Sequence, residues 1–183
     1  MAQLFIYATN ELPPLIRCQI LAFMRVNAYE VFQRMPLGWD FLVSDTHPVS
    51  FVLIENETVL SHALVTQRQL DHMGNHYLTY GLGAVFTYPE VRGRGYGQRV
   101  VQAASDHIRA SDADIAMLRC QPALKKFYGP CGWLAVDELH LQYGDPSNPT
   151  AGGRIMMLFV SEKGQRNRAA FEQGSVYVGT YMW

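Results

Sequence analysis

Between Val49 and Thr87 the chain reads as a β-meander, and no other stretch narrows the possible folds as much. "SFVLI" and "TVLSHALVTQRQL" flank the turn pair Asn56-Glu57, and "MGN" at 73–75 turns the second run into "HYLTYGLGAVFT". Short turns between β-rich apolar runs predict three consecutive antiparallel strands. The meander is then interrupted by "RGRGYG" at 92–97, after which Val100, Val101, Ala104 and Ile108 recur at helical spacing. Upstream, "QLFIYA" predicts a first strand, and Pro13-Pro14 open a helix whose apolar face carries Ile16, Ile20, Phe23 and Met24. "MPLGWDFLVSDTHP" reads as a loop. Downstream come a compact strand, "DIAMLRC", and a short helix, "PALKKFY", which Gly129 can end. Two further strands, "WLAVDELHLQY" and "RIMMLFV", are joined by the polar stretch "GDPSNPTAGG". The order predicts an α/β (α+β) chain with a mixed sheet, in one domain over residues 1–183.

Charge decides where ligand chemistry can lie. A formal net charge of -1, with 17% charged residues, leaves no general footprint for nucleic acid or an anionic membrane. Basic chemistry must therefore be local. The start of the chain lacks a basic, apolar leader pattern, and "LIRCQILAFMRV" is too short and too charged to span a bilayer. Cys18, Cys120 and Cys131 are odd in number and lack zinc spacing, which leads to the expectation of a reducing, cytoplasmic setting.

The segment 92–97 sets three glycines and two arginines at a strand-to-helix junction. The first N–H groups of a helix have no internal partner, and glycine lets an anion approach the backbone. Arg92 and Arg94 would add charge-assisted contacts. The expected ligand is a phosphate or pyrophosphate. A Walker loop is excluded because Gln98, not Lys followed by Ser or Thr, comes after Gly97. A dinucleotide fingerprint fails as well, since counting three residues beyond Gly95 gives Gln98 and not glycine.

"RGRGYG" resembles the Arg/Gln-x-x-Gly-x-Gly/Ala motif of the GNAT superfamily of N-acetyltransferases, through Arg92, Gly95 and Gly97. "VFTYPEV" is similar to that family's fourth strand and the bend after it, and "FYGPCGW" to its downstream tyrosine segment. The resemblance implies a mostly antiparallel central sheet of about seven strands flanked by helices, splayed between strands 4 and 5. It also implies acetyl-coenzyme A as acetyl donor. The pyrophosphate would sit on Arg92, Gly93, Arg94, Gly95, Tyr96 and Gly97, and the pantetheine arm along Val85, Phe86 and Thr87.

Direct transfer to an amine needs an oxyanion site and a proton for the departing thiolate. Backbone N–H groups near Phe86 suit the first. Tyr128 suits the second, because a phenol of pKa about 10 matches a thiolate of similar basicity. Cys120 and Cys131 read as structural, with no histidine nearby in sequence to activate them. His72 and His76 bracket a turn without a third ligand, so no metal is expected. His62 reads as an inward polar residue satisfied by hydrogen bonding rather than a proton relay. No carboxylate falls in "TYGLGAVF", so no general base is assigned among Glu55, Asp40 and Glu90, while Tyr80 is placed to hold a water.

"SHA", "QRQL", "GN", "CGWL" and "GRIMMLFV" resemble the aminoglycoside 2'-N-acetyltransferase group within that superfamily. The resemblance implies an acceptor site reached by the C-terminal Trp183, with a terminal docked strand in "VYVGTYMW" as the plainer reading. Acidic positions of that group fall on Gly83 and Tyr181 here. A polycation would find less attraction as a result. The acceptor classes are therefore an aminoglycoside-like antibiotic, a smaller primary amine, or a protein or peptide amine. Asp40, Tyr80 and Trp183 are the acceptor-side candidates. A coenzyme-binding regulatory module that has lost catalysis is the alternative, and a homodimer is expected from the resemblance alone.

Overall fold

The computed structural model describes residues 1–8, 11–28 and 46–180. Among the described residues eight strands form one sheet: β1 (Gln3–Ala8), β2 (Val49–Glu55), β3 (Thr58–His72), β4 (Asn75–Thr87), β5 (Ile115–Arg119), β6 (Leu134–Tyr143), β7 (Thr150–Phe159) and β8 (Gln173–Tyr177). Their order across the sheet is β1-β2-β3-β4-β5-β7-β6-β8. The meander folds as the sequence predicts. Asn56 and Glu57 both have positive φ (49° and 63°), as do Met73 and Gly74 (45° and 74°), the backbone that two-residue hairpins require.

β1 to β4 pair antiparallel, and so do β7's contacts with β5 and β6. Parallel pairs occur at β4–β5 and β6–β8. The sheet thus has eight strands where about seven were expected. Two details differ from the sequence reading. "TAGG" belongs to β7 rather than to a loop, because pairing with β6 satisfies its backbone and overrides weak strand propensity. The segment after β7 also holds a short helix, Glu162–Arg166, capped by the Ser161 hydroxyl, which accepts from the Gly164 N–H.

Alternation along β2 sends neighbouring residues to opposite faces. Phe51 and Leu53 join a core with α2 (Tyr96–Arg109), whose buried Val100, Val101, Ala104 and Ile108 are the residues the periodicity selects. Val52 joins a second core under α1 (Pro14–Asn27), against Ile16, Ile20 and Phe23. Each such fully buried Leu, Val or Phe stabilises by about 1.5–3 kcal/mol. A third core, around Phe171, Leu139 and Met157, lies beside the last strands. Trp133 is buried between elements, its indole N–H donating to Ser105 Oγ at 2.8 Å. Among the described residues no helix is long and apolar enough to cross a membrane.

Candidate active site

The opening in the sheet starts where β4 leaves β5. The two strands pair only from Thr79–Gly81 to Ile115–Met117, although β4 continues to Thr87. Bending of β4 has an identifiable cause. Between the pairs His62↔Phe86 and Leu64↔Gly83, one residue of β3 faces two of β4, a β-bulge. Ala84 sits in it with φ of 46°, a left-handed conformation costing a non-glycine residue about 1–2 kcal/mol. The glycines of "GLGAVF" are the sequence signal for it, since glycine inside a strand pattern marks bulges.

Neighbours on β3 fix the end of β4. Ser61 Oγ donates to the Phe86 carbonyl at 2.7 Å, so the Thr87 hydroxyl, 2.9 Å away, donates to Ser61 Oγ. His62 Nδ1 lies 2.9 Å from the Ala84 carbonyl, and Nε2 lies 3.2 Å from Ser50 Oγ. The Phe86 ring stacks on Phe23 of α1, 4.0 Å between centroids. Val85, Phe86 and Thr87 therefore form a fixed edge whose far side has no strand partner among the described residues.

A turn over Pro89–Val91 leads from that edge into α2. Gly93 and Gly95 have φ of 77° and 76°, and Gly95 is the residue before the first helical turn, with no side chain capping it. The first helical bond of α2 runs from the Arg99 N–H to the Gly95 carbonyl, which leaves the N–H groups of Tyr96, Gly97 and Gln98 without helical partners. Arg94 is exposed beside them. Arg92 is exposed too, but its Nε donates to the Thr87 carbonyl at 3.0 Å, tying the 92–97 loop, a nest of backbone N–H groups, to β4. A Cβ on Gly97 would lie 2.9 Å from Thr87 Oγ1 and 3.2 Å from the Phe127 ring. Glycine there permits three elements to meet.

Phe127 and Tyr128 belong to α3 (Lys125–Tyr128), so this contact brings the tyrosine to the same end of the sheet. Tyr128 is buried, and burial, with Cys120 nearby, pushes its phenol up to about 12. It therefore carries its proton throughout the neutral range. Burial also pushes up the thiols of Cys120 and Cys131, so neither is a ready thiolate. Cys120 donates to the Gln121 carbonyl, and Cys131 accepts from Gln98 Nε2 at 3.0 Å.

Other sequence candidates lie elsewhere. Tyr80 is in the core beneath α2, and its hydroxyl donates to Asp112 Oδ1 at 3.3 Å. Glu55 pairs with the N-terminal amine. His72 is hydrogen-bonded to the Ala170 carbonyl and His76 to Asp71, so the two do not converge. Asp40, Trp183 and Tyr181 lie outside the described residues. A shallow cavity of about 400 Å³, lined by Arg109, Leu134 and Arg168 among others, sits at the far end of α2. Fourteen helical residues put it roughly 20 Å from the nest.

Residues 7–136 match the family model of the acetyltransferase (GNAT) domain. No curated protein matches the chain. Among solved structures, the fold is similar to YhbS of Escherichia coli, a GNAT family N-acetyltransferase in complex with CoA. The TM-score is 0.63 at 13% identity, covering 97% of this chain and 90% of that one. A GNAT family acetyltransferase from Brucella melitensis in complex with acetyl-CoA gives a TM-score of 0.53 at 18% identity, covering 87% and 89%. A conserved protein of unknown function from Enterococcus faecalis V583 gives 0.54 at 20% identity, and this chain covers 33% of its length. At these identities the structures show the fold, and the family model, which covers more than half of the chain, shows the rest: this protein belongs to the GNAT family of acetyltransferases.

Proposed function

We propose that the protein transfers acetyl directly from acetyl-coenzyme A to a primary amine of a small molecule. One observation carries this reading: the uncapped start of α2, the edge of β4 that has no strand partner among the described residues, and the α3 turn that carries Tyr128 meet at one end of the sheet. A pyrophosphate suits the N–H groups and glycines of 92–97 with Arg94 alongside. The pantetheine amides suit the Val85–Thr87 edge, which lacks a strand partner among the described residues. Coenzyme A and acetyl-CoA in the two bacterial GNAT proteins support the same ligand here.

In the reaction the amine lone pair attacks the thioester carbonyl, and its oxygen takes the developing charge against backbone N–H groups near Phe86. The C–S bond then breaks, the Tyr128 hydroxyl gives its proton to the thiolate, and the proton shed by the acylated nitrogen passes to water, from which the phenolate takes one back. A phenol raised by burial remains matched to its task because the thiolate forms in the same water-poor surroundings, which make it more basic as well. No carboxylate stands on β4 beyond the bulge, so the amine arrives neutral from solvent. The acceptor reading is a small amine of modest charge. An aminoglycoside-like antibiotic fits less well, because Gly83 offers no anion to a polycation.

A panel of primary amines, with free thiol released from acetyl-coenzyme A as the readout, tests this. Amine-dependent thiol release is the expected result. Coenzyme binding without release for any amine would favour a regulatory module instead.

A further inference from the structure

His62 is completely buried on β3, opposite the bulge of β4. Its tautomer follows from its partners. The Ala84 carbonyl has only lone pairs to offer, so Nδ1 at 2.9 Å must carry the proton and donate. Nε2 then carries a lone pair and accepts from the Ser50 hydroxyl at 3.2 Å. Burial pulls the ring's pKa down to about 4, which keeps it neutral and suited to this role. Both nitrogens are occupied, so a proton relay through His62 would break one of the bonds.

The carbonyl it holds is the one that needs holding. Ala84 is the residue with left-handed φ at the bulge, and the two residues after it begin the unpaired edge. Ser61, next to His62, holds the Phe86 carbonyl at 2.7 Å. The Phe86 ring packs 5.4 Å from the imidazole. A bulge left to itself can relax by flipping the Ala84 peptide, which would turn the following N–H groups away from the gap.

We propose that His62 is a positioning residue for acetyl transfer: its Nδ1–H clamps the Ala84 carbonyl and so fixes the Val85–Thr87 backbone at the thioester. This rests on the acetyltransferase reading above. His62 touches neither substrate, and its effect is carried through the peptide after Ala84.

Replacement by either carboxamide separates clamping from packing. In His62→Asn the amide nitrogen falls near the former Nδ1 and can still donate to Ala84. In His62→Gln it falls near the former Nε2, toward Ser50, and the Ala84 carbonyl loses its donor. We expect His62→Asn to keep kcat within about threefold, and His62→Gln to lose on the order of a hundredfold, as small misplacements at a reacting centre do. The Kd for coenzyme A should stay near the parent value in His62→Asn and rise in His62→Gln by far less than kcat falls, because the 92–97 loop is untouched. Hydrogen exchange of the 84–87 amides should quicken in His62→Gln alone.

Equal kcat in the two variants, or kcat that follows melting temperature rather than donor position, overturns the clamp. So does a collapse of kcat in folded His62→Asn. If neither variant folds, packing rather than the donor fixes the site, and the proposal also falls. A parent protein that binds no coenzyme A overturns the acetyltransferase reading itself, which the variants do not touch.

Discussion

Two residues near the reacting centre are governed by burial, with opposite consequences. Tyr128, pushed up to about 12, holds its proton at neutral pH, as the proposed donor to the departing thiolate must. Tyr128→Phe should lower turnover by roughly two to four decades while coenzyme A affinity, measured by calorimetry, stays near the parent value. Normal turnover in that variant would pass the role to water. His62 instead has its pKa lowered from 6.5 to about 4. The unfolded chain takes up a proton near pH 6.5 that the folded chain refuses until about pH 4. Its neutral form therefore contributes stability above pH 6.5 that is lost as pH falls toward 4, a swing on the order of 3 kcal/mol. Melting temperature should fall more steeply over that window in the parent than in His62→Asn. Parallel curves would mean that His62 does not resist protonation in the fold.

At the scale of elements, the nest and α2 were legible because every cue coincided. Glycines of positive φ, an apolar helical stripe and the preceding strand all fell where the pattern put them. Space around Gly95 is open, so a side chain there meets no atom and the cost is backbone strain. Gly95→Val should raise the Kd for coenzyme A by reshaping the nest. Arg94→Ala should raise it about tenfold through loss of a charged contact, with the amine constant unchanged in both. Calorimetry showing parental affinity in both variants would remove the pyrophosphate from this loop. Arg92 was only half legible: the motif points it at the ligand, while the structure also spends its Nε on Thr87. The β7 start was not legible, because Thr150–Gly153 owe their strand state to β6, a partner that local sequence does not reveal. β8 was partly legible, since a terminal strand was read from Val176 onward, but not its start or its parallel pairing with β6, a strand distant in sequence.

Across the whole molecule, the opening depends on topology rather than on any single motif. Parallel β4 and β5 diverge after three paired residues, and α2 crosses between them with its open end at the gap. Strand order up to β5 follows from short turns and one crossover, which explains why the architecture was readable from the meander onward. The bulge was only hinted at by glycines; His62 read as an inward, hydrogen-bonded residue, but its partner did not, because a β3 residue opposite a β4 carbonyl is a matter of register. Cys120 and Cys131, although close to the site, are held as thiols by their surroundings. The most direct test of the account mixes the protein with acetyl-coenzyme A and primary amines, and follows both products by mass spectrometry. We predict one free thiol for each N-acetylated amine, with no acetyl group on the protein, and the same result after Cys120→Ala and Cys131→Ala. An acetyl group trapped on either cysteine, or thiol release independent of any amine, would contradict direct transfer at this site.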